Sequence, residues 1–355
     1  MAAIRRAGKA RGRSAQAGVT KGDMKISVII PVYKAERFVE EATRSALAQP
    51  ETGEVILVED GSPDNALAVC GELAKTDERI RLLQHPDGRN HGAAASRNLG
   101  IQSARHPLVA FLDADDVYVP GCFDAVVNTL ATQPDIDGVY GTVALFANDE
   151  EARDRHSKSS WPSTLGMRRH VAPEELLDVL TAGGAGSFCT DGIVVRRTLF
   201  GKSGLFDTRF SISQDTHLWI RMAAVGRLAP IPRGQMMARA RIHADNRVTG
   251  RDGAFRLAGS RLVWAALLRW CNTHNTSYSS RRSLARRYVS ATQGLVSHKG
   301  IFPATFLSVT SCLFLLTHAS RPWKVEGFST LAFNASGVGL LWTRTRAWLS
   351  ARGAT

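Results

Sequence analysis

Short apolar runs separated by polar stretches of helical length set the rhythm of the first half of the chain. Ile26-Ser27-Val28-Ile29-Ile30 is a β-branched run of the kind that forms a strand buried on both faces. Pro31 and Tyr33 close it, and Phe38, Val39, Ala42 and Ala46 then recur at helical spacing until Gln49-Pro50. The unit repeats. Val55–Val58 predicts a second strand with a helix near 65–75 behind it; Ile80–Gln84 predicts a third, with a helix near 93–104; Pro107–Leu112 makes a fourth. Strands alternating with helices imply right-handed crossovers, hence an α/β fold on a doubly wound, mostly parallel sheet. In such a sheet ligands bind beyond the carboxyl ends of the strands.

The pattern loosens further on. Gly138–Phe146 predicts another strand, and residues 147–172 are polar and irregular. A second organised stretch runs from about Pro173 to Arg247, and a helical, basic region follows from about Gly253. Three parts are expected: a disordered basic arm over 1–24, a catalytic domain over 25–250, and a basic helical C-terminal region over 251–355. Phe302–Ser320 lacks charged residues, yet its polar content and Pro303 argue against a spanning helix.

A length of 355 residues accommodates this plan, and the formal charge of +13 adds a question about partners. From Arg281 to Thr355 ten Lys or Arg residues face one acid, Glu326, and are interleaved with Trp323, Trp342 and Trp348. Such a stretch suits an anionic membrane surface, and equally a helical tail packed on the domain. No apolar core of signal-peptide length is present near the start, so a cytoplasmic location is expected, peripheral on the inner face of the membrane. Five scattered cysteines fit neither a disulfide framework nor a paired metal site, and read as reduced thiols.

Polar residues fall where the topology wants them: Tyr33 after the first strand, Glu59-Asp60-Gly61 after the second, and Asp113-Ala114-Asp115-Asp116 after the fourth. Asp113 and Asp115 lie two apart, spaced to reach into one pocket. A hard cation such as Mg2+ or Mn2+, held by carboxylates, would there neutralise the charge on a departing diphosphate. The alternative is that Asp115 or Asp116 caps the helix that follows. Asp60 has the same ambiguity, because Asp, Gly, Ser and Pro are what any strand-to-helix turn uses.

Ile26–Tyr33, Val58–Ser62, Ala95–Gly100 and Phe111–Asp116, in this order and spacing, closely resemble family-2 glycosyltransferases of the GT-A fold, of the kind that use nucleotide-sugars to build bacterial cell-surface polysaccharides. The resemblance covers roughly residues 25–247. It implies that Pro31, Tyr33 and Asp60 line a nucleoside pocket, that Arg97 lies beside the nucleotide, that Asp113 serves ribose and metal, and that Asp115 ligates the metal. Gly204–Asp207 and Gln214–Arg221 match a further motif, usually Glu-Asp at 214–215, whose aspartate acts as base. Asp215 is therefore the candidate catalytic residue, with an N-cap as its other reading. His243, in Arg241–Asn246, matches a histidine that approaches the metal or diphosphate.

The implied reaction moves a sugar, with UDP as the expected nucleotide, to a hydroxyl of a saccharide or lipid-linked acceptor, with inversion. Two other classes compete. A sugar nucleotidyltransferase would need a Gly- and Lys-rich triphosphate loop near the first strand, where Pro31-Val32-Tyr33-Lys34 stands. A basic nucleic-acid-binding protein would need aromatics interleaved with its cations as stacking motifs, and these are missing, so no nucleic acid is expected as a partner.

Overall fold

The structure, a computed structural model, describes residues 24–147, 150, 154, 163–232, 235–243, 253–274 and 276–298. The expected basic arm, much of the polar 147–172 stretch and everything after residue 298, including Phe302–Ser320 and Cys312, lie outside them.

The repeating apolar runs become β1 (Ile26–Val32), β2 (Thr52–Glu59), β3 (Ile80–Gln84) and β4 (Leu108–Phe111), joined by α1 (Val39–Leu47), α2 (Ala66–Thr76) and α3 (Ala93–Ser103). β2 lies parallel to β1 on one side and β4 on the other, with Val28 opposite both Val55 and Ala110. The chain therefore reverses its direction of winding between β1 and β4, which opens a crevice above that point. Pro31 is tolerated inside this central strand for a geometric reason. The Ile29 carbonyl accepts from the Leu112 amide, so residues 27, 29 and 31 turn their backbone groups toward β4. That pairing ends at Phe111, and the missing proline N–H leaves no ladder bond unmade.

Beyond β5 (Val117–Tyr118) and α4 (Cys122–Thr132) the expected single strand over 138–146 proves to be two. β6 (Gly138–Tyr140) joins the main sheet, and β7 (Thr142–Phe146) joins a second one. The switch occurs at Gly141, whose amide donates to the Gly192 carbonyl instead of continuing a ladder. Next come β8 (Thr164–Leu165), α5 (Leu176–Ala182), β9 (Ile193–Arg196), α6 (Phe200–Ser203), α7 (Gln214–Val225), β10 (Leu228–Pro230) and β11 (Met236–Arg241). The main sheet has the order β10-β6-β9-β4-β1-β2-β3, and β9 runs antiparallel to both its neighbours. The second sheet has the order β5-β11-β7-β8.

Side chains alternate across the main sheet and build one core on each face. Ile29, Val109, Phe111 and Val195 pack with Phe206, Leu218 and Trp219; Val28, Ile30, Ala110 and Val194 pack with Val39, Phe123 and Val126. The first core continues into a helical hairpin of α8 (Gly253–Thr273) and α9 (Tyr278–His298) through Val263, Leu267, Leu284 and Tyr288. Asp178 of α5 accepts hydrogen bonds from Ser277, Ser279 and Ser280 at the start of α9, fastening the hairpin to the domain. The part of the basic C-terminal stretch described here thus packs on the catalytic fold. Among the described residues no helix is long and apolar enough to cross a membrane, and Cys70, Cys122, Cys189 and Cys271 are free thiols.

At the opposite end of the sheet from the crevice, Glu54 is buried at 3% exposure. It accepts from Ser27 Oγ at 2.6 Å, the Arg105 amide at 2.7 Å and Arg81 at 2.7 Å. These donors hold the carboxyl below its ordinary value against the effect of burial. Glu54→Gln leaves Arg81 without its counter-charge and should cost about 3 kcal/mol in urea unfolding at pH 7. Because the folded-state pKa is depressed, that contribution exists above the ordinary 4.5 and fades as pH falls through the folded value. The gap between parent and variant should therefore close on acidification; a gap constant from pH 7 to pH 3 would refute the ion-pair account.

Candidate functional site

The carboxyl ends of β1, β2 and β4 lie along one edge, and the loops leaving them are tied together. The Lys34 amide donates to Ser62 Oγ at 2.7 Å, the Glu36 amide to Asp64 at 3.0 Å, and the Asn65 amide to Glu36 at 2.8 Å. Pro31 is half-buried at the end of β1, and Tyr33 stands beyond it, 37% exposed. Asp60 is buried, and its carboxylate accepts from the amides of His91 and Gly92 at 2.8 and 2.9 Å and from Asn90 Nδ2 at 3.0 Å. Asp60 therefore holds the 90–92 loop down over Gly61. A Cβ on Gly61 would lie 2.7 Å from Asn90 N, and its φ of +63° already favours glycine.

Just past β4, Asp113 is 42% exposed at its side chain and accepts from Arg97 Nη2 at 2.5 Å. Arg97 is buried on α3, with its guanidinium 5.6 Å from the centre of the Phe206 ring. Its neighbour Asn98 bonds Phe206 in both directions, donating to the carbonyl and accepting from the amide at 2.9 Å each. Arg221 of α7 donates to the carbonyls of Ser203 and Leu205 at 2.6 Å each. The motif over Gly204–Asp207 is thus the strap that positions α7, whose second residue is Asp215. Burial pushes the Asp215 carboxyl above the usual range, the Thr216 amide and Arg97 work against that, and Asp113 adds to it.

The antiparallel pairing of β11 with β5 brings the end of one strand beside the start of the other. His243 Nε2 consequently lies 2.9 Å from Asp115 Oδ2. Arg241 reinforces the corner: its amide donates to Asp116 at 2.7 Å, its Nε to the Asp115 carbonyl at 2.9 Å, and its Nη2 to Glu41 at 2.6 Å.

Asp191 is the member that the sequence reading missed. It lies directly before β9, buried, and accepts from the Asp113 amide at 2.9 Å. Asp113, Asp116 and Asp191 bring carboxylate oxygens within 4.8 Å of one another. Burial and the charge of Asp113 push Asp191 up to about 7, and burial beside Asp191 and Asp115 raises Asp116 as well. A signal was available: Asp191 is the acid that immediately precedes the β-branched run Ile193-Val194-Val195. Because β9 runs antiparallel, the residues before it, not after it, reach the functional edge.

The expected site residues therefore fall into linked groups. Arg97 joins Asp113, His243 joins Asp115, and Asp215 feels the charges of both Arg97 and Asp113. Asp60, Tyr33 and Pro31 occupy the neighbouring β1–β2 end of the same edge. Arg97 Nε and Gln214 Oε1 are buried with no hydrogen-bond partner among the described residues. The arrangement offers hard oxygen ligands, a fixed guanidinium and a carboxylate of raised basicity along one sheet edge.

A family model described as Glycosyl transferase family 2 matches residues 27–204, half of the chain. An uncharacterized glycosyltransferase of Nostoc sp., alr2836, is 31% identical over 228 residues, covering 63% of this chain and 66% of the relative. The succinoglycan biosynthesis protein ExoU of Rhizobium meliloti is 27% identical over 258 residues, covering 67% and 70%. The uncharacterized glycosyltransferase EpsJ of Bacillus subtilis is 37% identical over 113 residues, so the chain spans about a third of that relative. Among solved structures, S. aureus TarS 1–349 in complex with UDP-GlcNAc superposes with a TM-score of 0.58 at 15% identity, covering 87% of this chain and 90% of TarS. That likeness is one of fold, and the α/β architecture with its helical C-terminal region is of the GT-A type.

Asp191→Asn keeps an acceptor for the Asp113 amide and removes an acid that is disfavoured as an anion. An acid with a raised folded pKa withdraws stability as pH rises from its ordinary 3.8 through about 7. In chelator, the variant should melt about 5 °C above the parent at pH 8 and match it near pH 4. A variant less stable at pH 8 would show that the charged form of Asp191 supports the fold.

Proposed function

We propose, from the premise that the chain belongs to glycosyl transferase family 2, that this transferase moves a sugar from a nucleoside-diphosphate donor to an acceptor hydroxyl in a single inverting displacement. One observation carries the reading. Arg97 pairs with Asp113, Asp115 with His243, and Asp215 feels the charges of Arg97 and Asp113, so four separate elements of the sequence contribute to one charged edge. The likeness to TarS, solved with UDP-GlcNAc, supports a UDP-sugar donor. The relatedness to ExoU, a succinoglycan biosynthesis protein, supports a saccharide acceptor. The basic, Trp-bearing composition of 281–355 supports a lipid-linked form of that acceptor at the inner face of a membrane. In this reading residues 25–250 form the catalytic unit and 251–355 its extension.

Hard carboxylate oxygens suit Mg2+ or Mn2+: Asp113 lies within 4.8 Å of Asp116 and Asp191, while Asp115 and His243, which adjoin each other, stand outside that trio. In this reading Asp113, Asp115 and His243 would hold the cation, which when bound supplies the positive charge that eases departure of the diphosphate. Pro31 and Tyr33 flank the nucleoside, and Asp60 shapes its pocket through the 90–92 loop. Arg97 holds Asp113 and lends Asp215 a nearby positive charge. Asp215 takes the proton of the acceptor hydroxyl as its oxygen bonds to the anomeric carbon. The bond from that carbon to the diphosphate oxygen breaks, the electron pair leaves with the diphosphate, and the configuration inverts. Gln214, where similar enzymes carry an acid, has no proton affinity to compete with Asp215.

Two measurements test this. Asp215→Asn should bind UDP-sugar as the parent does and lose transfer by about a thousandfold. Since Asp215 must be ionised and burial raises its pKa, the parent's kcat/KM should fall on acidification at a pH above the ordinary 3.8. An Asp215→Asn enzyme with unchanged turnover would remove the base from the mechanism. For the cation, donor affinity of the parent should drop when Mn2+ is replaced by chelator, whereas Asp115→Ala should bind equally weakly in both. A variant that keeps the parent's metal response would dismiss Asp115 as a ligand.

A further inference from the structure

Two cavities of about 250 and 470 Å3 meet at Ala182, where α5 ends. None of the residues of the acidic edge lines either one. Arg286, Arg287, Ser283 and Ser290 of α9 bound the smaller, and Arg168 and Arg169 bound the larger, with the backbone of residues 183–185 between them. Among the described residues neither lining contains an Asp or Glu. Arg169 has a carboxylate nearby, Glu175 at 3.6 Å, both half or more exposed. The Arg168 side chain makes no ion pair among the described residues.

Arg287 is held in place from two sides. Its guanidinium centre lies 4.5 Å over the Trp264 ring, and a Cβ on Gly183 would fall 1.6 Å from its Nη2. The glycine, at φ +76°, is what lets the guanidinium lie against the backbone. Half-burial lowers the pKa of Arg287, and no acid among the described residues offsets that loss. A planar fork of donors, packed on an aromatic face and lacking an anion, is matched by an oxyanion that accepts two parallel hydrogen bonds. The serine hydroxyls add donors of no charge, which suit phosphate as well.

We propose that this arginine groove binds a phosphate group, carried by a ligand other than the sugar donor. A lipid headgroup and a water-soluble phosphate ester share that chemistry, and both would be gripped by the Arg168–Arg286 flanks and seated against Arg287. The site stands whether or not the catalytic reading above is right, since it shares no residue with the acidic edge.

The test titrates inorganic pyrophosphate into the full chain by calorimetry, at low salt with chelator present. The comparison is with the Arg168→Gln/Arg286→Gln double variant, both positions being exposed, and with Asp115→Asn. The parent should bind, more weakly as salt rises. The double variant should lose at least about tenfold in affinity while its circular dichroism stays unchanged, and Asp115→Asn should bind as the parent does. No binding by the parent overturns the proposal. So does binding that the double variant leaves intact, or that Asp115→Asn alone removes. Cosedimentation with phosphatidylglycerol and phosphatidylcholine vesicles separates the sources. Binding to the anionic vesicles alone, lost in the double variant, assigns a lipid headgroup; pyrophosphate binding without vesicle binding assigns a soluble phosphate.

Discussion

Carboxylates crowded at one sheet edge are the constraint around which this molecule is organised. Asp113, Asp116 and Asp191 bring oxygens within 4.8 Å of one another. Two full charges at such a distance repel by about 3 kcal/mol at the effective dielectric of a protein site. The fold answers with several devices at once. Arg97 lies against Asp113, the Arg241 amide serves Asp116, the Asp113 amide serves Asp191, and burial favours the neutral forms of Asp116 and Asp191. The donors come from α3, β11 and the turn after β4, so the cluster can exist only when both sheets have assembled.

The same reasoning explains why α3 packs so closely at the centre of the molecule. Arg97 reaches the acids after β4 while Asn98, one residue on, pairs with Phe206 like a neighbouring strand. One helical turn therefore sets the distance between the acids after β4 and the strap that carries Asp215. The Arg221 bonds to Ser203 and Leu205 fix the other end of that strap. Asp215 is thus placed by tertiary contacts more than by its own helix. Its N-cap reading from sequence is overturned: the helix begins at Gln214, the cap position falls on Ser213, and Asp215 lies inside the first turn.

How much of this could be read from the sequence follows from strand direction. β1 to β4 are parallel and buried on both faces, so they announce themselves as unbroken apolar runs, and the residues following them are the ones at the ligand edge. Tyr33, Asp60, Asp113 and Asp115 were legible for that reason. Asp191 was not, because β9 runs the other way and the residue that reaches this edge precedes the strand. The division at Gly141 was hidden too. The apolar run from Val139 to Phe146 is continuous, and only the bond between Gly141 and Gly192 sends its halves to different sheets. Likewise the helical character of 253–298 was visible in composition, whereas its attachment through Asp178 depends on serines that any helix start could carry.

The segment from Gly183 to Asp191 joins the two charged regions of the molecule and gives them a common frame. At one end Gly183 lies under Arg287; in the middle Gly186 bridges to Met167 and Phe188 stacks on Tyr140 at 4.5 Å; at the other end Asp191 meets Asp113. Phe188 is also in contact range of Trp219, their ring centres 5.8 Å apart, and Trp219 belongs to the helix that bears Asp215. A segment buried at its centre and bonded at its ends transmits position with little slack. The α8–α9 hairpin is fastened to α5 immediately before this segment, by Asp178. The basic helix and the acidic edge are consequently joined through one packed segment, which ties the arginine groove to the helix that bears Asp215.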